Sequence, residues 1–164
     1  WKKVAFFWVD ERCVNKFNKN NNYRLAYKKL ISKLPNVKKI FRIQTELEPK
    51  KAARSYHNKI IKFFGDNGVR FDFVLLGLGN DGHIASIFPN SLESKKKNAL
   101  VLATEKSHNG HRRITLGINL INKTRYKLLI IKGKKKFKVL NLKNKSLPFN
   151  MITNKKIVYL EDKN

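Results

Sequence analysis

The stretch from Phe71 to Pro89 constrains the fold of this chain more than any other. It begins as an apolar run without alternation and then breaks into three glycines, with Asn80, Asp81 and His83 between and after them. An apolar run without alternation predicts a strand that is covered on both faces, as in a parallel sheet. Because ligands of open α/β sheets bind outside the carboxyl ends of the strands, this stretch predicts an active-site edge.

Strands and helices alternate along the rest of the chain. Helical spacing of apolar residues predicts helices from the Asn18–Asn22 loop to Pro35, from Pro49 to Gly65, and over residues 134–142. Further apolar runs predict strands over residues 4–9, 37–43, 100–103, 114–118, 126–131 and 156–160, with a lysine-rich loop over residues 94–98. The alternation predicts an α/β layered domain with a mostly parallel, Rossmann-like central sheet flanked by helices. One such domain is expected to cover residues 1–164.

The formal net charge of +26 has two interpretations. A polyanion partner, most obviously nucleic acid, is the functional one. The other is that Lys and Asn have spread together over the surface, since Lys is scattered along almost the whole chain. No recognition-helix, zinc-finger or RNP-like aromatic pattern accompanies the charge. We therefore expect no specific nucleic-acid partner, and a basic nucleic-acid-binding module remains the alternative.

Cysteine content and hydropathy indicate where the protein resides. Cys13 is the single cysteine, so an internal disulfide is excluded and a reducing, cytoplasmic location is expected. A cysteine of this kind is a nucleophile or, more often, a filler of modest size near a strand end. No apolar run is long enough to span a membrane. No group of Cys, His and carboxylate residues has metal-ligand spacing, so neither a metal nor a cofactor is expected.

The glycine loop itself fits three kinds of structure. Gly77-x-Gly79-x-x-Gly82 matches the dinucleotide fingerprint, and Glu105 lies about 20 residues further on, where a ribose-binding acid is expected. Pro89 would interrupt the crossover helix of such a site. In the second structure the loop is an ordinary turn with a histidine that has its hydrogen bonds satisfied. The third is a catalytic loop that is built on Asp81 and His83.

Residues 77–89, GLGNDGHIASIFP, support the third structure because they resemble the signature of the 6-phosphogluconolactonase family. Other blocks of the chain resemble the family in the same order along the sequence, from Trp1 to about Asp162. These blocks are WVDERCV at 8–14, NYRLA at 22–26, RITL at 113–116, IN at 121–122 and GKKK at 133–136. The resemblance implies the layered fold of sugar-phosphate isomerases and CoA transferases, in an N-terminally incomplete form.

The sequence also departs from the family pattern. The family has an upstream strand and a Ser-Gly-Gly-Ser-Thr-Pro loop that helps to bind the sugar phosphate, and this sequence starts after them. Part of the phosphate site is therefore expected outside it. A fusion to glucose-6-phosphate dehydrogenase, which occurs in some lineages, is compatible with that start. Asn15 replaces a Pro, Asn21 a Ser and Asn90 a Gly; the last change is mild because Asn tolerates left-handed backbone.

The resemblance implies hydrolysis of 6-phospho-D-glucono-1,5-lactone to 6-phospho-D-gluconate, the second step of the oxidative pentose phosphate pathway. In this scheme His83 is the general base, because a free imidazole has a pKa of about 6.5. Asp81 orients the imidazole or contacts substrate hydroxyls. The amides of Gly77 and Gly79 serve the developing oxyanion.

Fixed cations are needed for the phosphate of this substrate. Arg12 at one strand end and Lys136 after another are the first candidates, and they would converge if the sheet is parallel. Arg113 is a third candidate cation, and Asn22 belongs to a family block beside them.

A related enzyme, glucosamine-6-phosphate deaminase/isomerase, is the nearest rival because it shares the Gly-x-Gly-x-Asp-Gly-His loop. It needs an acidic residue shortly after the loop, where this chain has Ser86-Ile-Phe88. A non-catalytic remnant of the family is the remaining alternative.

Overall fold

The structure, a computed structural model, describes residues 1–96, 98–142 and 144–160. Lys97 of the predicted lysine-rich loop and residues 161–162 of the family resemblance lie outside the described residues. In chain order the strands and helices are β1 (Ala5–Phe7), β2 (Asp10–Arg12), α1 (Asn22–Lys29), β3 (Lys39–Phe41), α2 (Pro49–Phe64), β4 (Phe73–Gly77), α3 (Leu92–Lys95), β5 (Val101–Ala103), β6 (Arg113–Leu116), α4 (Ile118–Lys123), β7 (Tyr126–Lys132), α5 (Lys134–Leu140) and β8 (Lys155–Leu160).

These elements fall into two compact units. Trp1–Phe63 and Val101–Thr115 form the first unit, and Phe64–Leu100 and Leu116–Asn164 form the second. The single domain expected over residues 1–164 stays a prediction. None of the helices in the described part of the chain is long and apolar enough to cross a membrane.

The first unit contains two small sheets. In one, β1 lies parallel to β3, with Ala5 opposite Lys39. In the other, β6 lies between β2 and β5, and β2 is antiparallel to β6 with Arg12 opposite Arg113. Helix α2 buries one face through residues at helical spacing, namely Ala52, Ala53, Tyr56 and Ile60.

The second unit is built on one parallel sheet in the order β4-β7-β8. Buried side chains of this unit come from the sheet, from α4 and from the segment that follows the glycine loop; they include Val74, Leu76, Ile84, Ile87, Leu120, Ile121, Leu129 and Ile131. The predicted α/β fold with parallel strands is thus confirmed, although β2 and β6 pair antiparallel.

Several residues that were predicted to begin or end helices, or to tolerate left-handed backbone, do so in the structure. Asn21 caps α1 by accepting a hydrogen bond from the backbone N–H of Arg24 at 2.9 Å. Helix α2 begins at Pro49 and is followed by Gly65 with a φ of 59°. Asn90 has a φ of 58°, so the replacement of the family's Gly by Asn falls at a left-handed position.

The prediction that β4 is covered on both faces is wrong. Burial alternates along the strand: Val74 and Leu76 are buried, whereas Phe73 is 57% and Leu75 is 53% exposed. The sequence shows no alternation because apolar residues occupy the exposed face as well. β7 alternates in the same way, and its inward position 127 is a lysine whose ammonium donates to the carbonyl groups of Asn122 and Thr124 at 3.0 and 2.8 Å.

Tyr56 connects α2 to the break between β1 and β2. Its hydroxyl accepts a hydrogen bond from the Trp8 N–H at 2.8 Å and donates one to the Trp8 carbonyl oxygen at 2.9 Å. Desolvation by burial raises the pKa of this phenol, although the hydrogen bond with Trp8 acts in the opposite direction. The run from Val4 to Val9, predicted as one buried strand, is therefore interrupted at Trp8.

We expect the Tyr56→Phe variant to lose roughly 2–4 kcal/mol in free energy of unfolding, because it leaves a buried N–H and a buried carbonyl without partners. Urea denaturation measures the loss. Tyr27→Phe is the matched control, since Tyr27 is 44% exposed and its hydroxyl removal should change stability by less than about 0.5 kcal/mol. Equal stability of the two variants would show that the Tyr56 hydrogen bonds do not support the fold.

Candidate active site

The glycine loop of the second unit closes on itself directly after β4. The Gly79 N–H donates to the His83 carbonyl oxygen at 3.0 Å, and the Gly82 N–H donates to the Gly79 carbonyl oxygen at 3.1 Å. Gly82 has a φ of 85°, a conformation that glycine adopts without strain. These bonds fold the chain back so that Asp81 and His83 lie on one side of the loop.

Asp81 and His83 form a close pair. The Oδ1 atom of Asp81 lies 2.6 Å from Nδ1 of His83 and also accepts the His83 backbone N–H at 3.2 Å. Partial burial of Asp81 favours its protonated form, but the two hydrogen bonds from His83 outweigh that effect and lower the pKa of the carboxyl group. An ionised carboxylate only accepts hydrogen bonds, so Nδ1 carries a proton, and in the neutral imidazole the lone pair is then on Nε2.

Two neighbours fix the position of the imidazole. The Phe88 ring packs against it with a centroid separation of 4.6 Å. On another side lies Gly79, where an added Cβ atom would overlap Nδ1 and Cε1 of His83 and crowd the carboxylate of Asp81. The His83 side chain stays 28% exposed, so the pair is held in place and remains accessible to a small molecule.

The chain after the loop forms a tight turn. Ile84 and Ile87 exchange both backbone hydrogen bonds, and Ala85 between them has a φ of 53°. The next helix is the four-residue α3, which starts at Leu92. A dinucleotide site needs a helix that opens at the glycine loop, so that interpretation is wrong. Glu105, its expected ribose ligand, lies exposed after β5.

A buried carboxylate organises the strand end in the first unit. Glu11 is fully buried and accepts three backbone N–H groups, those of Arg12, Asn22 and Tyr23, at 2.7–2.9 Å. Desolvation outweighs these hydrogen bonds and raises the pKa of Glu11. Two of the three donors are the first residues of α1, so Glu11 ties the helix start to β2.

Two arginines lie side by side in the same unit. Arg12 and Arg113 are opposite each other in the pair of β2 and β6. Desolvation, and then the positive charge of Arg12, lower the pKa of Arg113, while Asp10 opposes them with a carboxylate oxygen 4.0 Å from Nη1. Arg12 donates from Nη1 to the Asn20 carbonyl oxygen at 2.8 Å, and its buried Nε has no hydrogen-bond partner among the described residues.

The predicted site residues divide between the two units. The first unit holds Arg12, Arg113 and Asn22, and the second holds Asp81, His83, Gly77, Gly79 and Lys136. Asn22 is engaged locally, since its Nδ2 donates to the carbonyl oxygen and Oδ1 of Asp10 at 3.1 and 3.3 Å. Lys136 lies half-buried in the first turn of α5. Convergence of Arg12 with Lys136 stays a prediction.

The sequence did not reveal several residues that shape the site. The role of Glu11 depends on the fold of α1, whereas Phe88, five residues after His83, was close enough in the sequence to serve as a signal. The amide of Gly79, predicted to serve an oxyanion, instead donates within the loop. Burial raises the pKa of the Cys13 thiol to about 11, which suits a filler better than a nucleophile.

Comparison with known proteins identifies the family. The model of the family described as glucosamine-6-phosphate isomerases/6-phosphogluconolactonase matches residues 1–159. The chain belongs to this family. Among curated 6-phosphogluconolactonases, that of Treponema pallidum is 32% identical over 139 residues, which cover 83% of this chain and 58% of the relative. A probable 6-phosphogluconolactonase of Dictyostelium discoideum is 35% identical over 143 residues, which cover 85% and 61%.

Solved structures of the family have the same fold. The 6-phosphogluconolactonase of Thermotoga maritima superposes with a TM-score of 0.86 at 32% identity, over 99% of this chain and 74% of that one. The Trypanosoma brucei enzyme gives a TM-score of 0.78 at 26% identity, over 96% and 71%. This chain thus spans less than two thirds of the length of the curated relatives that it matches.

Proposed function

We propose that the full-length protein hydrolyses 6-phospho-D-glucono-1,5-lactone to 6-phospho-D-gluconate without a metal or cofactor. The 2.6 Å contact between Asp81 and His83 carries this proposal. It supplies an oriented imidazole with its Nε2 lone pair available, in a family whose members include 6-phosphogluconolactonases. In a reducing cytoplasm the lone thiol of Cys13 would persist, and that location is part of the proposal.

The chemistry needs one base and one acid in sequence. Nε2 of His83 takes a proton from water, and the water oxygen forms a bond to C1 of the lactone. The resulting tetrahedral oxyanion collapses, the bond between C1 and the ring oxygen breaks, and the imidazolium returns its proton to that oxygen. Asp81 stabilises the imidazolium through Nδ1 and holds the ring in one tautomer.

The phosphate of the substrate needs positive charge from this chain. Arg12 and Arg113 are proposed to bind it, and a contribution from Lys136 stays a prediction. The buried Arg12 Nε supports the assignment, because a desolvated N–H donor without a partner is costly and an oxyanion would satisfy it. Asn22 contributes by holding Asp10, the first residue of β2.

A glucosamine-6-phosphate deaminase is the second candidate of this family. The residues after the loop favour the lactonase: Ser86, Ile87 and Phe88 are all buried, and Phe88 packs on the imidazole. None of the three is an acidic residue, and Phe88 cannot relay a proton in a ring-opening step. A fusion with glucose-6-phosphate dehydrogenase would supply the lactone directly, and it stays a prediction.

The two activities are separated by assaying the full-length protein with both substrates. We expect the protein to accelerate loss of the lactone ester, which is measured by titrating the released acid. We expect no release of ammonia from glucosamine 6-phosphate. Spontaneous lactone opening in buffer is the baseline for the first assay. Ammonia release with no acceleration of lactone opening would replace the proposal by the deaminase.

A further inference from the structure

The connection between α5 and β8 lies against the glycine loop in the second unit. The backbone N–H of Phe149 donates to the Gly82 carbonyl oxygen at 3.1 Å. The Leu147 side chain covers the same glycine, since a Cβ atom at Gly82 would meet Leu147 atoms at 3.2–3.4 Å. Both contacts fall on the residue between Asp81 and His83.

The peptide unit that joins Gly82 to His83 is therefore held at both ends. Its carbonyl oxygen accepts from Phe149, and its N–H donates to Oδ1 of Asp81 at 3.2 Å. The same Oδ1 atom is the partner of the imidazole Nδ1 at 2.6 Å. Because a peptide unit is planar, the orientation of its carbonyl group fixes the N–H that aligns the carboxylate. A change at Phe149 or Leu147 therefore reaches the imidazole through a single rigid group.

The contacting segment is itself braced by side-chain hydrogen bonds. Nδ2 of Asn150 donates to the carbonyl oxygens of Leu142 and Asn144 at 2.8 and 2.7 Å. Oδ1 of Asn144 accepts the N–H and the hydroxyl of Ser146 at 2.9 and 2.8 Å. Phe149 is 4% exposed, which anchors the end of the segment in the core. These bonds give residues 144–150, here called the brace, a defined shape.

We propose that the brace positions the Asp81–His83 pair, with Leu147 and Phe149 as its positioning residues. Neither residue touches the reacting atoms; they act through Gly82. The catalytic consequence rests on the proposed function, whereas the geometric consequence does not. A misplacement of about 1 Å in a catalytic group can lower a rate by roughly 100-fold, so a modest loosening of the loop should be measurable.

The test uses the Leu147→Ala variant of the full-length protein. Proton NMR of the imidazole Nδ1–H of His83 reports its hydrogen bond to Asp81 without any assay of activity. We expect this resonance to move upfield or to broaden beyond detection in Leu147→Ala, and to be retained in Leu147→Met, which keeps most of the contact. Leu92→Ala is the matched control, because Leu92 is 52% exposed in the same unit; it should leave the resonance in place.

Kinetics give a second readout of the same variant. We expect kcat for the lactone to fall roughly 10-fold with KM unchanged within about twofold, and Leu147→Met to restore kcat. An unaltered Nδ1–H resonance in a folded Leu147→Ala protein would overturn the proposal that the brace positions the Asp81–His83 pair. A shifted resonance with unchanged kcat would leave the brace in place and overturn the base role of His83, so the two failures are distinguishable.

Discussion

The His83→Asn variant is expected to hydrolyse 6-phospho-D-glucono-1,5-lactone with kcat lowered by roughly 100- to 10,000-fold, because a positioned general base contributes about that factor. Asn can still donate a hydrogen bond toward Asp81 but has no nitrogen lone pair to remove a proton from water. Nε2 has no hydrogen-bond partner among the described residues, so the loss is expected in chemistry and not in folding. Titration of the released acid measures the rate of hydrolysis above that of spontaneous lactone opening.

His57→Asn is the matched control for this prediction. His57 lies on α2 in the first unit, and α2 supplies none of the proposed site residues. The same substitution should leave kcat within about twofold of the wild type. If His83→Asn retained the wild-type rate while the Asp81 side chain stayed in place, the proposed base would be wrong.

The Arg12→Ala variant is expected to lose roughly 30-fold or more in kcat/KM for the phosphorylated lactone. Removal of one partner from a buried, hydrogen-bonded charge pair costs about 2–5 kcal/mol, and about 2 kcal/mol corresponds to a 30-fold change. Arg12→Lys should recover only part of the loss, because an ammonium group cannot bind phosphate through a planar fork.

A substrate without phosphate separates binding from folding in this experiment. With D-glucono-1,5-lactone, Arg12→Ala and the wild type should have equal kcat/KM, since the deleted contact is to phosphate. Arg54→Ala, an exposed arginine of α2, removes the same charge elsewhere in the first unit and should change neither substrate. If Arg12→Ala lowered kcat/KM equally for both lactones, Arg12 would support the structure of the strand end and would not bind the phosphate.

Local sequence signals were sufficient to predict the loop of the second unit that carries Asp81 and His83. Gly82 between Asp81 and His83, and the two-residue spacing between the carboxylate and the imidazole, already place both groups on one loop. The left-handed backbone at Asn90 is equally local. Such features depend on residues within one turn of each other, so the sequence predicts them well.

Features that depend on contacts between distant segments were not predictable. Glu11 is an ordinary acidic residue at a strand end until the start of α1 folds onto it. Leu147 and Phe149 carry no signal at all, because they meet Gly82 only after β7 and α5 have been placed. The buried Lys127 is another example, since its partners are the carbonyl groups that end α4.

The boundary between β6 and α4 was missed for a steric reason. Residues 114–118 form one apolar run and predict one strand, yet the strand ends at Leu116 and α4 begins at Ile118. Gly117 between them lies against the carbonyl oxygen of Ala99, where an added Cβ atom would overlap that oxygen. A close backbone approach of this kind is visible in the sequence only as a glycine.

The claim that Asp81 and His83 act as one catalytic unit is tested most directly by a double-mutant cycle in kcat. The cycle compares the wild type, Asp81→Asn, His83→Asn and the double variant on the phosphorylated lactone. If Asp81 works only by orienting the imidazole, the double variant should be no slower than His83→Asn alone, because residues that act together are strongly non-additive. Losses that multiply in the double variant would contradict the account, because they would give Asp81 an independent role.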